Sequence, residues 1–236
     1  MIKAAPDFWG RYLIRPYFLY RFRKTFHAAY FWGWEHWNEI TDDEPILAFA
    51  NHCGWWDGIV LIHLKDRFPQ RRFFCMMERL HRYPFFRRLG AYSTSLVNRT
   101  EAALSLRYTV KLLATAGAVV WIFPQGEILP ASKKFTFLEG FKWILSKCRK
   151  IKTIPLALRY SFYNEEKPVV CGAWGKVLTA EACMTNGEAE MDSLLEFLEA
   201  RTDSWDWSGA RITLAPGSSI NDRWDRFRRL FRADQQ

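Results

Sequence analysis

Cysteine is sparse and shows no pairing pattern. The five residues, Cys53, Cys75, Cys148, Cys171 and Cys183, are odd in number, contain no Cys-x-x-Cys pair and have no histidine at metal-ligand spacing. A disulfide framework and a zinc module are therefore excluded, no metal site is expected, and a reduced, cytosol-facing chain fits best. Long apolar runs are missing too. Nowhere do about 18 apolar residues follow one another without a charge, which excludes a conventional spanning helix. The start has no basic stretch leading into an apolar run and a small-residue cleavage site, so no secretory leader is expected. Internal repeats and low-complexity tracts are absent. So is any helix-turn-helix, zinc-finger or RNA-binding signature that would make nucleic acid the partner.

Apolar residues make up 49% of the 236, enough for one sizeable core and little more. Lys and Arg number 34 against 25 Asp and Glu, and the net charge of +9 favours an anionic partner. Aromatics reach 17%, with 12 Trp, and Trp and Tyr beside Arg suit the boundary between lipid headgroups and hydrocarbon. The expected partner is thus a membrane surface, with the protein peripheral or monotopic on its cytoplasmic face. Between Phe8 and Trp37, aromatics alternate with Arg11, Arg15, Arg21, Arg23 and Lys24. That pattern predicts short helices with broad aromatic faces, and residues 1–40 are expected to form an interfacial helical anchor. The same aromatics would equally suit a helix pair packed on the protein's own core. At the other end, residues 221–236 are expected to carry a basic amphipathic helix. Trp224, Phe227, Leu230 and Phe231 share one face, with Arg223, Arg226, Arg228, Arg229 and Arg232 around it. A surface helix docked on the domain is the alternative there.

Between these segments, residues 41–220 alternate short apolar runs with helical stretches. Strands are expected at 46–50, 73–77, 118–123, 153–159, 169–174 and 210–214, with a short extended piece at 91–97. Helices are expected at 56–64, 101–116, 137–149 and 192–200. Such alternation implies an α/β fold, a mixed and largely parallel sheet flanked by helices.

Two segments carry chemistry. Ala50-Asn51-His52-Cys53-Gly54-Trp55-Trp56-Asp57 follows an apolar strand, where open α/β sheets place their ligands. On one continuous helix, residues five apart are separated by about 140°, so His52 belongs in the strand-to-helix turn and Asp57 in the first helical turn. There the carboxylate can fix the tautomer of the imidazole and leave its other nitrogen to take a proton. No Ser or Cys stands in a nucleophile elbow, so the pair suits a reaction in which a substrate hydroxyl attacks. Taken alone, a His and an Asp at this spacing also suit a structural histidine. The second segment, Phe123-Pro124-Gln125-Gly126-Glu127-Ile128, ends another buried strand with a Pro-x-Gly turn, and by itself it is only that.

Together, and in this order, the two segments resemble the glycerolipid acyltransferase superfamily, the group that includes lysophosphatidic acid acyltransferases. Gly90-Ala91-Tyr92-Ser93-Thr94-Ser95-Leu96-Val97-Asn98-Arg99 is similar to that family's second block, and Ile154-Pro155-Leu156-Ala157 to its fourth. The resemblance covers roughly residues 45–160. It implies an O-acyltransferase in which His52 deprotonates the acceptor hydroxyl and Asp57 orients it. The donor would be an acyl-CoA or acyl-carrier-protein thioester, with no further cofactor. Arg99, Phe123, Pro124, Gln125, Gly126 and Glu127 would bind the acceptor, and the turn around Gly126 is a candidate for stabilising the oxyanion.

The third block departs from the family's Phe-Pro-Glu-Gly-Thr-Arg: Gln125 replaces the acid, Glu127 the Thr and Ile128 the Arg. Arg pairs bidentately with phosphate and Ile does not, so a glycolipid, a glycosylated terpenoid or another lipid alcohol is expected as acceptor unless Arg99, Lys133 or Lys134 compensates. The alternative is a catalytically idle lipid-binding or membrane-scaffolding protein that keeps the fold. Chain length of the acyl group and oligomeric state leave no mark in the sequence.

Overall fold

Apolar runs too short for a helix and apolar at every position become the centre of the sheet. In the computed structural model, which describes residues 1–217 and 220–232, Ile46–Ala50 and Ala118–Ile122 are buried along their whole length. Strands covered on both faces read this way. The chain opens with a π-helical turn, Gly10–Ile14, that runs into α1 (Arg15–Thr25). It continues through β1 (Ala29–Trp32), β2 (Ile46–Ala50), α2 (Asp57–Leu64), β3 (Arg72–Met77), β4 (Ala91–Ser93), α3 (Arg99–Leu113) and β5 (Ala118–Ile122). The rest comprises α4 (Glu139–Lys147), β6 (Lys152–Ser161), β7 (Val169–Trp174), β8 (Leu178–Thr179), α5 (Ala180–Asp203), β9 (Arg211–Leu214) and α6 (Ile220–Arg232).

These strands form one sheet in the order β4-β3-β5-β2-β6-β7-β1-β9, with β8 beside β6. The five from β4 to β6 are parallel, and β7 and β1 run against them. The mixed, largely parallel sheet flanked by helices is therefore as expected. Alternation along each strand feeds two cores. Ile46, Ala48 and Ala50 face a layer built from Phe18 and Phe22 of α1 and Ile59, Val60 and Leu64 of α2. Leu47 and Phe49 face the opposite layer, with Leu113 of α3, Phe141 and Ile144 of α4 and Met191 and Leu198 of α5. Each such side chain contributes roughly 1.5–3 kcal/mol on burial.

The helical expectation for the N-terminal segment holds to Thr25 and again in a short 3-10 helix, Trp34–Glu39, with a strand between them. Ala29–Trp32 is a strand parallel to β7, because Tyr30 and Trp32 enter one core while Ala29 and Phe31 enter the other, an alternation that a helix cannot satisfy. The large apolar side chains of residues 8–22 divide between both readings. Phe18, Leu19 and Phe22 are buried, whereas Phe8, Trp9, Tyr12, Leu13, Tyr17 and Tyr20 are exposed. Helix α5 starts well before the expected 192, at Ala180, where the Thr179 hydroxyl accepts from the Ala182 N–H. Helix α3 starts two residues earlier than expected, capped by Asn98 accepting from the Glu101 N–H at 3.1 Å. Helix α6 covers the expected C-terminal segment as far as Arg232; the side chains of Asn221, Asp222, Leu230, Phe231 and Arg232, and residues 233–236, lie outside what the structure describes. Among the described residues no helix is long and apolar enough to cross a membrane.

Candidate active site

Strand β2 delivers the first segment to the C-terminal edge of the sheet. Asn51, buried at its end, replaces a strand pairing with side-chain bonds: its Nδ2 donates to the Leu158 carbonyl at 2.9 Å and its Oδ1 accepts from the Leu158 N–H at 2.7 Å. The backbone then turns, and Asp57 opens α2 fully buried. Its carboxylate is saturated. Oδ2 lies 2.6 Å from His52 Nδ1 and accepts from the N–H groups of Cys53 at 2.8 Å and Gly54 at 2.9 Å. Oδ1 accepts from the Tyr160 hydroxyl at 2.6 Å. A buried carboxylate is tolerable only when satisfied in this manner. Gly54 is required by close approach, since a Cβ there would sit 2.9 Å from the Tyr160 ring. An ionised carboxylate only accepts, so Nδ1 of His52 carries the hydrogen and Nε2 holds the lone pair. The imidazole is 25% exposed, which leaves that lone pair within reach of a substrate.

The second segment lies one strand away, with Phe49 of β2 paired to Ile122 of β5. Phe123 stacks on the His52 ring at 4.4 Å between centroids and 23° between planes. Gln125 Oε1 accepts from the His52 N–H at 2.9 Å, and the His52 carbonyl accepts from the Leu129 N–H at 2.8 Å. Both backbone polar groups of His52 are thus held by this segment. Gly126 turns the chain at φ 75°, a conformation that favours glycine, and a Cβ there would also lie 2.5 Å from Leu138. Its N–H donates to the Phe123 carbonyl at 3.1 Å. That amide closes its own turn, so as an oxyanion donor the Gly126 N–H is already engaged.

Electrostatics decide which groups can react. Burial, and then the charge of Asp57, push the Cys53 thiol far above its ordinary range, so the sulfur stays protonated. The same two causes raise the Tyr160 phenol well above its usual value and keep it a donor. His52 is therefore the group placed to take a proton, with no side-chain nucleophile beside it. Pro124 is buried, its carbonyl accepting from the Leu138 N–H at 3.0 Å. Arg99, at the first position of α3, and Glu127 are exposed and stand outside the hydrogen-bond network of Asp57, as do Ile128, Lys133 and Lys134. Sequence reasoning missed Tyr160 and the roles of Asn51 and the Gln125 amide. Asn51 was visible within its motif; Tyr160 carried no signal of its own.

The Acyltransferase family matches residues 34–159, which hold His52, Asp57 and the whole second segment. Among solved structures, the chain is similar to the crystal structure of the 1-acyl-sn-glycerophosphate (LPA) acyltransferase PlsC from Thermotoga maritima. The TM-score is 0.53 at 15% identity, covering 82% of this chain and 78% of that one. At that identity the likeness shows the fold alone. No curated protein matches the sequence. Because the family match spans more than half of the 236 residues, the chain belongs to the Acyltransferase family.

Proposed function

We propose that the protein is a membrane-peripheral O-acyltransferase that moves a fatty acyl group from an acyl-CoA or acyl-carrier-protein thioester to a hydroxyl of a lipid acceptor. The observation that carries this reading is the 2.6 Å contact between His52 Nδ1 and Asp57 Oδ2, which leaves Nε2 as a proton acceptor at the sheet edge. In the step, the acceptor oxygen attacks the thioester carbonyl while Nε2 takes its proton. The carbon–sulfur bond then breaks, and the imidazolium returns the proton to the leaving thiolate. Ester and free thiol result. Asp57 stabilises the imidazolium and holds the ring's orientation, and Phe123 and Gln125 fix ring and backbone from the other side. General-base assistance of this kind is worth roughly 10²- to 10⁴-fold.

The acceptor is a lipid alcohol with little phosphate near position 128, where an exposed Ile stands in place of the family's Arg. Phe123, Pro124, Gln125, Gly126, Glu127 and Arg99 line its approach. Membrane contact comes from the exposed face of residues 8–20 and from α6, whose Trp224 and Phe227 are exposed among arginines. The five free cysteines suit the cytoplasmic side.

The test is direct. Purified protein and a His52→Ala variant are incubated with labelled acyl-CoA and a lipid extract, and new ester is measured along with released thiol. Transfer that depends on His52 supports the reading. Identical traces for the two proteins favour an idle lipid-binding protein with the same fold.

A further inference from the structure

On the same edge of the sheet as His52, β3 and β4 end in a cleft of about 410 Å³. Its walls carry Glu78, Arg79, His81 and Arg82 from the turn after β3, and Thr94 and Ser95 from the loop after β4. Glu101, in the first turn of α3, closes one side, its carboxylate accepting from the Ser93 hydroxyl at 2.6 Å. The loop that carries Thr94 and Ser95 also reaches the site already described. Leu96, next to Ser95, packs over Gly126, whose added Cβ would lie 3.4 Å from the Leu96 methyls. Only β5 separates β3 from β2, so at the usual strand spacing the floor of the cleft and His52 are on the order of 10 Å apart.

We propose that this cleft seats the head group of the acceptor and that the head group is a sugar. The inference rests on the acyl-transfer reading and deepens it. The lining holds two carboxylates, Glu78 and Glu101, and two guanidinium groups, Arg79 and Arg82; Glu78 shares the turn of both arginines, and Glu101 is paired with the Met1 ammonium at 3.7 Å. A phosphate dianion favours several converging cations and is opposed by Glu78, which stands on the same turn as Arg79 and Arg82. A polyol asks for something else, because each hydroxyl both donates and accepts. The carboxylates accept, Arg79 and Arg82 donate, and His81, Thr94 and Ser95 can do either. The exposed Ile128 works in the same direction, since it provides no partner for a phosphate. With the sugar held over β3 and β4, a hydroxyl on its inner side faces β2 and His52.

The experiment supplies the full chain with decanoyl-CoA and three acceptors: decyl glucoside below its micellar concentration, lysophosphatidic acid and dodecanol. We expect His52-dependent esterification of decyl glucoside with kcat/KM at least tenfold above the other two. Glu78→Gln and Arg82→Ala should each raise the KM for the glucoside about fivefold or more, leaving the KM for decanoyl-CoA and transfer to dodecanol unchanged. A preference for lysophosphatidic acid, three equal acceptors, or folded variants with an unaltered glucoside KM overturns the assignment. Calorimetric titration of decyl glucoside into wild type and Glu78→Gln reads the cleft without turnover. Binding weakened by the substitution supports the sugar site even if every transfer assay is silent, whereas absent or unaltered binding removes it. Coincident traces for wild type and His52→Ala sink the acyl-transfer reading instead.

Discussion

The Tyr160 hydroxyl donates to Asp57 Oδ1 at 2.6 Å, across 103 residues of sequence, while His52 occupies Oδ2 of the same carboxylate. Tyr160 is itself fixed, its ring stacked on Phe26 at 5.6 Å and 22° and pressed against Gly54. The buried carboxylate is thereby clamped from β6, the strand that carries Ile154-Pro155-Leu156-Ala157, and the imidazole takes its orientation from a group that cannot rotate.

Tyr160→Phe keeps the ring and removes that donor, leaving Oδ1 with only the Cys53 thiol, 3.8 Å away. Hydrogen bonds to charged groups are worth about 1.5–3 kcal/mol, so kcat should fall by roughly tenfold to a hundredfold, with a smaller change in KM. Steady-state kinetics beside a thermal melt check it. An unchanged kcat would reduce Tyr160 to a packing residue.

Cys53 adjoins His52 in sequence, yet its Sγ lies 3.3 Å from the Leu158 carbonyl and the thiol is held protonated. Cys53→Ala should therefore retain wild-type turnover, while Asp57→Asn loses about 10²- to 10⁴-fold with the fold intact by circular dichroism. Trapping of an acyl-cysteine from wild type would contradict this.

The contrast between these residues explains what sequence could disclose. Strands β2 and β5 are apolar throughout, so their central place in a parallel sheet was readable, and with it the edge where His52 and Phe123 emerge. Strand β1 was hidden because its arginine-rich surroundings favoured a helix, and only burial on both faces of a finished sheet selects the strand. The start of α5 was masked by polar residues, among them Glu188 and Asp192, which accept from the backbone of Phe137 and Phe135 rather than facing solvent alone. Tyr160 meets Asp57 only through the pairing of β2 with β6, and no local periodicity encodes a contact of that kind. The second core, where Phe22 stacks on His63, was equally invisible.

His63 should make the fold sensitive to acid. Burial, reinforced by Arg67, lowers its pKa from 6.5 to about 4, and among the described residues its Nε2 has no partner. The unfolded chain takes up this proton first as pH falls. Stability from the neutral ring is complete above about 6.5 and is lost progressively toward pH 4. Between pH 7 and 5 the loss is on the order of 2 kcal/mol. His63→Phe, which preserves the stack on Phe22, should flatten that portion of the profile in urea unfolding at the two pH values. A variant with the wild-type slope would assign the sensitivity elsewhere.

Trp9, Tyr12 and Leu13 are each more than half exposed, so their loss costs the core little. Inserted fully into an apolar phase, each would contribute about 1.5–3 kcal/mol, and partial insertion less. The triple alanine variant should thus reduce partition onto anionic vesicles by roughly tenfold or more, with an unchanged melting temperature. Added salt should weaken wild-type binding without abolishing it, as expected for aromatic insertion joined to charge attraction. Sedimentation with vesicles measures both, and equal binding by the two proteins would transfer the anchoring role to α6.

Ile128 offers the sharpest test of acceptor choice, because it is 53% exposed and an arginine there pays no burial cost. The guanidinium would stand beyond the Gly126 turn, free to pair bidentately with a phosphate. One charged hydrogen-bonded pair is worth about 1.5–3 kcal/mol, so Ile128→Arg should raise kcat/KM for lysophosphatidic acid by roughly tenfold, leaving a neutral lipid alcohol unaffected. Glu127 is the adjacent acid and competes for the new cation; Glu127→Thr together with Ile128→Arg should therefore gain more than the single change. High salt should erode the gain, and Ile128→Gln, polar but uncharged, should not produce it. Equal ratios of the two acceptors in all four proteins would mean that position 128 faces away from the bound lipid, and the absence of arginine there would then say nothing about substrate.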